Sequence, residues 1–400
     1  MNGNELAVDF VVPRYWQRGG AENAVRMLAE QVASRLGWRV TLHATTAESS
    51  GSWANAHRPG REEINGISVH QHHVDSGRTP EWGPLNERVK ASPSTIDPGS
   101  EAAFFSTQGP VSSGLADAVK ASAADLIVFA PYLFWTTVGV LGEVVDRAVV
   151  VPAAHDEPFL RLPLVERTLR ASRGLLYGSV AERRLLERTL DVAHLPSTVL
   201  GWGIDSPVAP DPARQLPGSV TADDRPFVLC LGRIEHAKGT VALSRFWTTY
   251  AERRQPRHRL VLVGEVNADI EPHDDLVVIS DADDAMKWDL LRAADVMITP
   301  SAMESFSLVV LEAWAAGTPV LVNEWCGATS DHARAALGGL WYRDYPTFEA
   351  ALDALVDSPE LRARLADNGA AFGERTYSWD AIVERFESFA RRILAHERRR

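Results

Sequence analysis

The sequence predicts an α/β protein of two domains, each built on a parallel sheet, and three observations carry that prediction. The first is the stretch 290–323, which reads as helix end, apolar strand (296–299), loop, helix, a turn at Gly317-Thr318-Pro319, and a second apolar strand (320–322). A strand, crossover helix and strand pair in parallel, and strands that are apolar throughout belong to a sheet covered on both faces. The second is a comparable opening near the N-terminus: strand 6–12, helix 21–36, strand 40–44. The third is length, since 400 residues exceed what one core organises. Between the halves, 206–226 carries Pro207, Pro210, Pro212, Pro217 and Pro226 with few apolar residues, the composition of a linker.

Composition narrows the function classes. With 45% hydrophobic residues and 24% charged ones the chain reads as a globular protein. A net charge of −12 favours no nucleic-acid partner, so any anionic ligand must be met by local basic groups. Cys230 and Cys326 lie in or beside apolar strand patterns and read as core residues in a reducing compartment. The N-terminus shows no basic segment followed by a long apolar core, and no uncharged apolar run reaches about 18 residues. A cytoplasmic location is expected.

Strand 6–12 ends at Pro13, and the loop after it reaches Gly19-Gly20 just before helix 21–36. Paired glycines let backbone amides and a helix N-terminus approach an anion, and they serve a plain turn equally well. The helix carries Ala24, Met27, Leu28, Val32 and Leu36 at helical spacing and stops at Gly37. Stretch 67–73 alternates as a strand with His70 and His72 on one face. Two histidines without a third ligand point to a surface strand rather than a metal site. Stretch 75–100, rich in Pro, Gly, Ser and charge, reads as a long loop, either a lid or a disordered insertion. Strand 125–130 leads into an aromatic loop, and strand 148–152 ends at Ala153-Ala154-His155. His155 therefore sits at the carboxyl end of a strand, where open α/β sheets place ligands. Strands 173–177 and 198–200 close the first half.

The second domain opens at Phe227 with an apolar strand, followed by Gly232, Arg233, Lys238 and Gly239. Two cations beside glycines at a strand's end suit a phosphate: arginine offers a planar fork and lysine a point charge. Strands 260–263 and 276–279 follow, then Asp281-Ala282-Asp283. That triplet imitates a metal-binding pair, but acids at a helix N-terminus account for it better. In 305–323 Glu312 is the only charged side chain, set among Val309, Val310, Leu311, Ala313 and Trp314, and Glu304 stands in the loop before it. A carboxylate in apolar surroundings needs hydrogen-bond donors, so two carboxylates at the strand's mouth can face one polar ligand. The last helix, from 381, presents Ile382, Phe386, Phe389 and Ile393 at helical spacing. Its end is basic (Arg391, Arg392, 398–400), which suits a helix C-terminus with at most weak membrane-surface contact.

The run PSAMESFSLVVLEAWAAGTPV, with the preceding AADVMITPS, resembles the Glu-x7-Glu donor-site signature of family 4 of the retaining glycosyltransferases. Gly232, Arg233, Lys238 and Gly239 resemble that family's Gly-Arg-x5-Lys-Gly diphosphate site, and the loop at 13–25 resembles its first loop. The resemblance covers nearly the whole chain and is weakest over 51–125. It implies the GT-B architecture, two Rossmann-like domains with parallel sheets facing across a cleft. The domains it implies are 1–205 joined by helix 380–400, a linker at 206–226, and a donor-binding domain at 227–379. The implied activity is metal-independent retaining transfer of a sugar from a nucleotide diphosphate sugar to a hydroxyl acceptor. The nucleotide sugar is a co-substrate, and no cofactor or metal is implied.

The residues it implies for the chemistry are Glu304, His155, Arg233 and Lys238. For the donor they are Gly19, Gly20, Arg233, Lys238, Glu304, Phe306, Ser307, Leu308 and Glu312, with Glu312 on the ribose. The family commonly has glycine where this chain has Ser307, and a serine presents the same amide. Trp202 stands where the family usually has asparagine. A nucleotide-sugar epimerase and a non-catalytic nucleotide-sugar binding module are the alternatives. The intact set of Arg233, Lys238, Glu304 and Glu312 weighs against both.

Overall fold

The computed structural model describes residues 5–16, 20–204, 207–211, 213–221, 223, 225–280 and 282–397. They form two compact units, one of Met1–Gly203 with Trp379–Arg400 and the other of Ile204–Ser378.

The first unit holds eight strands: β1 (Ala7–Arg14), β2 (Arg39–Thr45), β3 (Gly60–Ile64), β4 (Ile67–His72), β5 (Leu126–Phe129), β6 (Ala148–Val150), β7 (Leu175–Tyr177) and β8 (Ser197–Val199). Their order across the sheet is β3-β4-β2-β1-β5-β6-β7-β8. All adjacent pairs are parallel except β3 with β4. Central β1 is buried on both faces from Ala7 to Val12, as its unbroken apolar run requires. The helix Gly20–Leu36 covers one face with Ala24, Val25, Leu28 and Val32. The helix Trp379–Glu397 belongs to this unit and stacks Phe386 on Phe10 at 6.0 Å between ring centres.

Two expectations for this unit are corrected, and one strand is added. Stretch 75–100 is not a loop: it contains the helix Trp82–Ala91 and opens the helix Pro98–Gln108, whose first turn is capped by the Asp97 side chain on the Ser100 amide. Val89, Phe104 and Phe105 anchor these helices in the core, a spacing that the surrounding prolines and charges obscured. Strand β3 has a charged sequence, and it forms because Asn65 and Gly66, both at positive φ, close a hairpin onto β4. His70 and His72 are half-buried rather than on an open surface, both rings packing against that of His43. His72 Nε2 lies 3.2 Å from His43 Nδ1, and His43 Nε2 lies 3.2 Å from Asp9 Oδ2. Burial and the neighbouring His43 and His70 hold the His72 pKa down to about 4, so the ring is neutral at neutral pH. Trp202 is buried, so the position that departs from the family pattern serves the core.

The second unit has six strands: β9 (Phe227–Leu231), β10 (Arg259–Val263), β11 (Leu276–Ile279), β12 (Val296–Thr299), β13 (Val320–Asn323) and β14 (Gly339–Tyr342). Their order is β11-β10-β9-β12-β13-β14, and every pair is parallel. The Pro-rich segment is pinned to this unit. Arg214 reaches Asp289 at 2.6 Å, Arg225 reaches Asp275 at 2.5 Å, and Arg259 donates to the Ser219 carbonyl at 2.8 Å. Both cysteines are buried free thiols. Among the described residues no helix is long and apolar enough to cross a membrane. The basic terminus 398–400 lies outside the described residues.

Candidate active site

Strand order decides where the second unit gathers its polar residues. The connection from β9 runs to β10 on one side, and that from β12 runs to β13 on the other, while β9 and β12 are neighbours. This is a topological switch point, and the crevice at the carboxyl ends of two such strands is where open α/β sheets bind ligands.

The loop after β9 carries Gly232 to Gly239 and is tightly tied. The Ile234 amide donates to the Glu265 carbonyl at 2.8 Å, and Thr240 Oγ1 both accepts from the Glu235 amide (2.8 Å) and donates to its carbonyl (3.0 Å). Gly239 has φ +75°, and a Cβ there would stand 2.6 Å from the Pro300 carbonyl oxygen, so only glycine lets the loops after β9 and β12 approach this closely. That approach brings Lys238 Nζ to 2.8 Å from Glu304 Oε1 across 66 residues of sequence. Arg233 stands more open, its side chain 56% exposed, and reaches Glu235 at 3.3 Å.

Glu312 lies on the helix Leu308–Ala315, and its Oε1 accepts from Lys287 Nζ at 2.8 Å. Its side chain is only 15% exposed, as its apolar neighbours in the sequence imply. Lys287, on the helix Asp284–Ala293, was not singled out from the sequence. A basic residue beside Trp288 in an ordinary amphipathic helix carries no signal of its partner. Burial pulls the Lys287 ammonium down, but the Glu312 charge and hydrogen bond, with Asp284, outweigh it and leave its pKa raised.

The loop between Glu304 and the helix is held from behind. Phe306 is buried, with His332 at 4.8 Å and Tyr377 at 5.1 Å between ring centres. Its ring is thus part of the wall, and only its backbone is left for a ligand. Ser307 caps the helix at φ +78° and ψ +86°, a left-handed conformation in which a Cβ is strained. Glycine at this position in the resembling family has that physical reason. Ser307→Gly is expected to stabilise the protein by about 1 kcal/mol, read from urea denaturation. Equal or lower stability would mean that the serine side chain earns its place by contacts outweighing the strain.

In the second unit Lys238 and Glu304 meet directly, Arg233 stands in the same loop as Lys238, and Phe306, Ser307, Leu308 and Glu312 follow Glu304 into the helix Leu308–Ala315. Gly20 and His155 belong to the first unit. Gly20 begins the helix Gly20–Leu36 at φ +77°. Nearby, Arg14 is engaged by Glu22 at 2.7 Å. His155 follows β6, its Nδ1 3.7 Å from Glu157 Oε1. Gly19 and Asp281 lie outside the described residues. Among the described residues no group of three or more His, Cys, Asp or Glu is arranged to hold a metal ion.

Comparison with known proteins follows this geometry. Residues 214–372 match the model of the family described as glycosyl transferases group 1. The D-inositol 3-phosphate glycosyltransferase of Kineococcus radiotolerans is 31% identical over 271 residues, 60% of this chain and 62% of that protein. The chain spans less than two thirds of the length of the curated relatives it matches first. Among solved structures, sucrose-phosphate synthase from Thermosynechococcus elongatus superposes with a TM-score of 0.69 at 18% identity, covering 98% of this chain and 100% of that one. The E. coli trehalose-6-phosphate protein bound with UDP-2-fluoro glucose gives 0.72 at 13% identity, covering 96% and 98%. At such identities the likeness shows the fold alone, and that fold is GT-B.

Proposed function

We propose that this chain, a member of the glycosyl transferases group 1 family through residues 214–372, transfers a sugar from a nucleotide diphosphate sugar to a hydroxyl acceptor with retention. One observation carries the reading: Lys238 and Glu304, from loops 66 residues apart, meet at 2.8 Å at the switch point of the second sheet. The pair is a site at rest. An arriving diphosphate offers Lys238 a stronger partner than one carboxylate, and the exchange frees Glu304 for the donor sugar's hydroxyls. Arg233, already open, provides the second cation. Charge grows on the diphosphate as it departs, and fixed cations aimed there stabilise the transition state more than the ground state. The amides of Ser307 and Leu308, at the N-terminus of the helix Leu308–Ala315, add to that field.

Glu312 is assigned to the ribose. Lys287 occupies one of its oxygens, which leaves the other to accept from a hydroxyl. His155 is assigned to the donor sugar through the family resemblance. No metal is needed in this scheme, because Arg233 and Lys238 supply the positive charge.

Thermal unfolding with UDP, GDP and ADP and with UDP-glucose, GDP-mannose and ADP-glucose, each with and without EDTA, tests the proposal. A ligand at about 100 times its Kd adds about 2.7 kcal/mol of stability, so one nucleotide series should raise Tm, with or without chelator. A flat response to the whole panel counts against a nucleotide-sugar site. Turnover lost in EDTA and restored by manganese would move phosphate neutralisation to a metal.

A further inference from the structure

The loop that carries His155 is held by a buried carboxylate that the scheme above does not use. Glu182 lies in the first turn of the helix Val180–Thr189 and is 2% exposed. Its Oε1 accepts the Ala154 amide at 2.6 Å, and its Oε2 accepts the Gly178 amide at 2.5 Å. Ala154 immediately precedes His155, and Gly178 immediately follows β7. Both oxygens therefore grip backbone just beyond the carboxyl ends of two neighbouring strands.

Helix capping does not explain this carboxylate. The Ser179 side chain already caps the helix by accepting the Glu182 amide at 3.0 Å. The sheet holds each strand end through its outer neighbour, by Val151 to Phe129 at 2.9 Å and Leu200 to Tyr177 at 2.8 Å, but it joins β6 to β7 by a single register pair, Val150 with Leu175. Beyond that pair the loop turns through Ala153 at φ +52°, a conformation that an alanine adopts only under constraint. On the loop's other side Glu157 receives the Tyr132 hydroxyl at 2.7 Å, and the Glu157 amide donates to the His155 carbonyl at 2.9 Å.

Putting a carboxylate in such a place is costly. Burial pushes the Glu182 pKa up to about 7, against the pull of the Ala154, Gly178 and Ser179 amides and of His155. An apolar residue would fill the volume at lower cost but would leave two buried amides without acceptors.

We propose that Glu182 is a positioning residue for His155: by bridging the Ala154 and Gly178 amides it clamps the loop after β6 and fixes where the imidazole is presented. The inference rests on the reading that His155 acts on the donor sugar. It also assigns Ala153 a part, as the strained hinge that the clamp holds in place.

The test uses Glu182→Gln, which keeps the volume. Gln has one acceptor oxygen, and its NH2 group meets an amide it cannot accept from. With the nucleotide sugar identified by the thermal panel, kcat should fall about tenfold, the cost of one charge-assisted bond, while donor KM and nucleoside diphosphate affinity hold. In a His155→Ala background the same change should have no further effect, because Glu182 acts through His155. Equal losses in both backgrounds, or an unchanged kcat, would overturn the proposal. Should E182Q fold poorly, Ala153→Gly relaxes the hinge without emptying the core. It should lower kcat only when His155 is present, and a wild-type kcat would count against the clamp. If the wild type turns over no nucleotide sugar, the activity reading fails separately. The NMR signal of the His155 imidazole, assigned by its absence in H155A, then decides: unchanged in E182Q, it sinks the clamp.

Discussion

Lys238→Ala is expected to lower kcat/KM for the nucleotide sugar by about tenfold to somewhat over a hundredfold, the range for a charge-assisted hydrogen bond of roughly 1.5–3 kcal/mol. Two losses combine in that figure. The phosphate contact disappears, and Glu304, which the lysine approaches at 2.8 Å, is left as an unpaired carboxylate where an anionic donor must settle. A double-mutant cycle separates them. Lys238→Ala with Glu304→Gln should recover part of the nucleotide affinity but none of the turnover, because the repulsion is gone while the phosphate still lacks its cation. A contact that strengthens as the diphosphate leaves shows in kcat as well as in KM. If the single variant changes KM alone, Lys238 holds the ground state and is no part of the transition-state field. If it changes neither, the diphosphate is elsewhere.

Glu304→Gln is expected to move binding and turnover in opposite directions. The Lys238–Glu304 pair is partly exposed, at 29% and 19%, so its own contribution to stability is small, about 0–1 kcal/mol. Releasing Lys238 from it should leave the affinity for a bare nucleoside diphosphate unchanged or up to about fivefold tighter. Transfer, by contrast, should drop by about tenfold to a hundredfold, because the amide of glutamine replaces one charged acceptor for the sugar hydroxyls. Isothermal titration with the diphosphate and initial rates with its sugar measure the two sides. Weaker diphosphate binding in E304Q would show that the carboxylate organises the phosphate loop, and the proposed exchange of partners would fall. Unchanged transfer would take Glu304 out of the sugar site.

Much of this arrangement was legible before any coordinates. The apolar runs at β1, β5, β9, β12 and β13 announced parallel strands buried on both faces, because such strands cannot alternate. The glycines around Arg233 and Lys238, and a lone carboxylate among Val309, Val310 and Leu311, stood out as local anomalies, and anomalies in an otherwise consistent pattern mark sites. Helix Trp82–Ala91 and strand β3 were not legible, since both carry polar or proline-rich sequence and are ordered by what they pack against. The cluster of Asp9, His43 and His72 was equally hidden, its members coming from three strands whose adjacency follows only from the order β4-β2-β1.

By itself the sequence determined the elements that local periodicity encodes, the loops in which the candidate residues stand, and the resemblance they carry together. The tertiary structure alone decided which of those residues meet. Lys238 and Glu304 are adjacent because β12 lies beside β9 rather than beside β11, its neighbour in the chain. Glu312 has a partner because two helices bring Lys287 alongside it. Glu182 reaches the Ala154 amide because β6 and β7 end side by side. Strand order is a property of the whole sheet, set by non-local packing, and no window of sequence contains it.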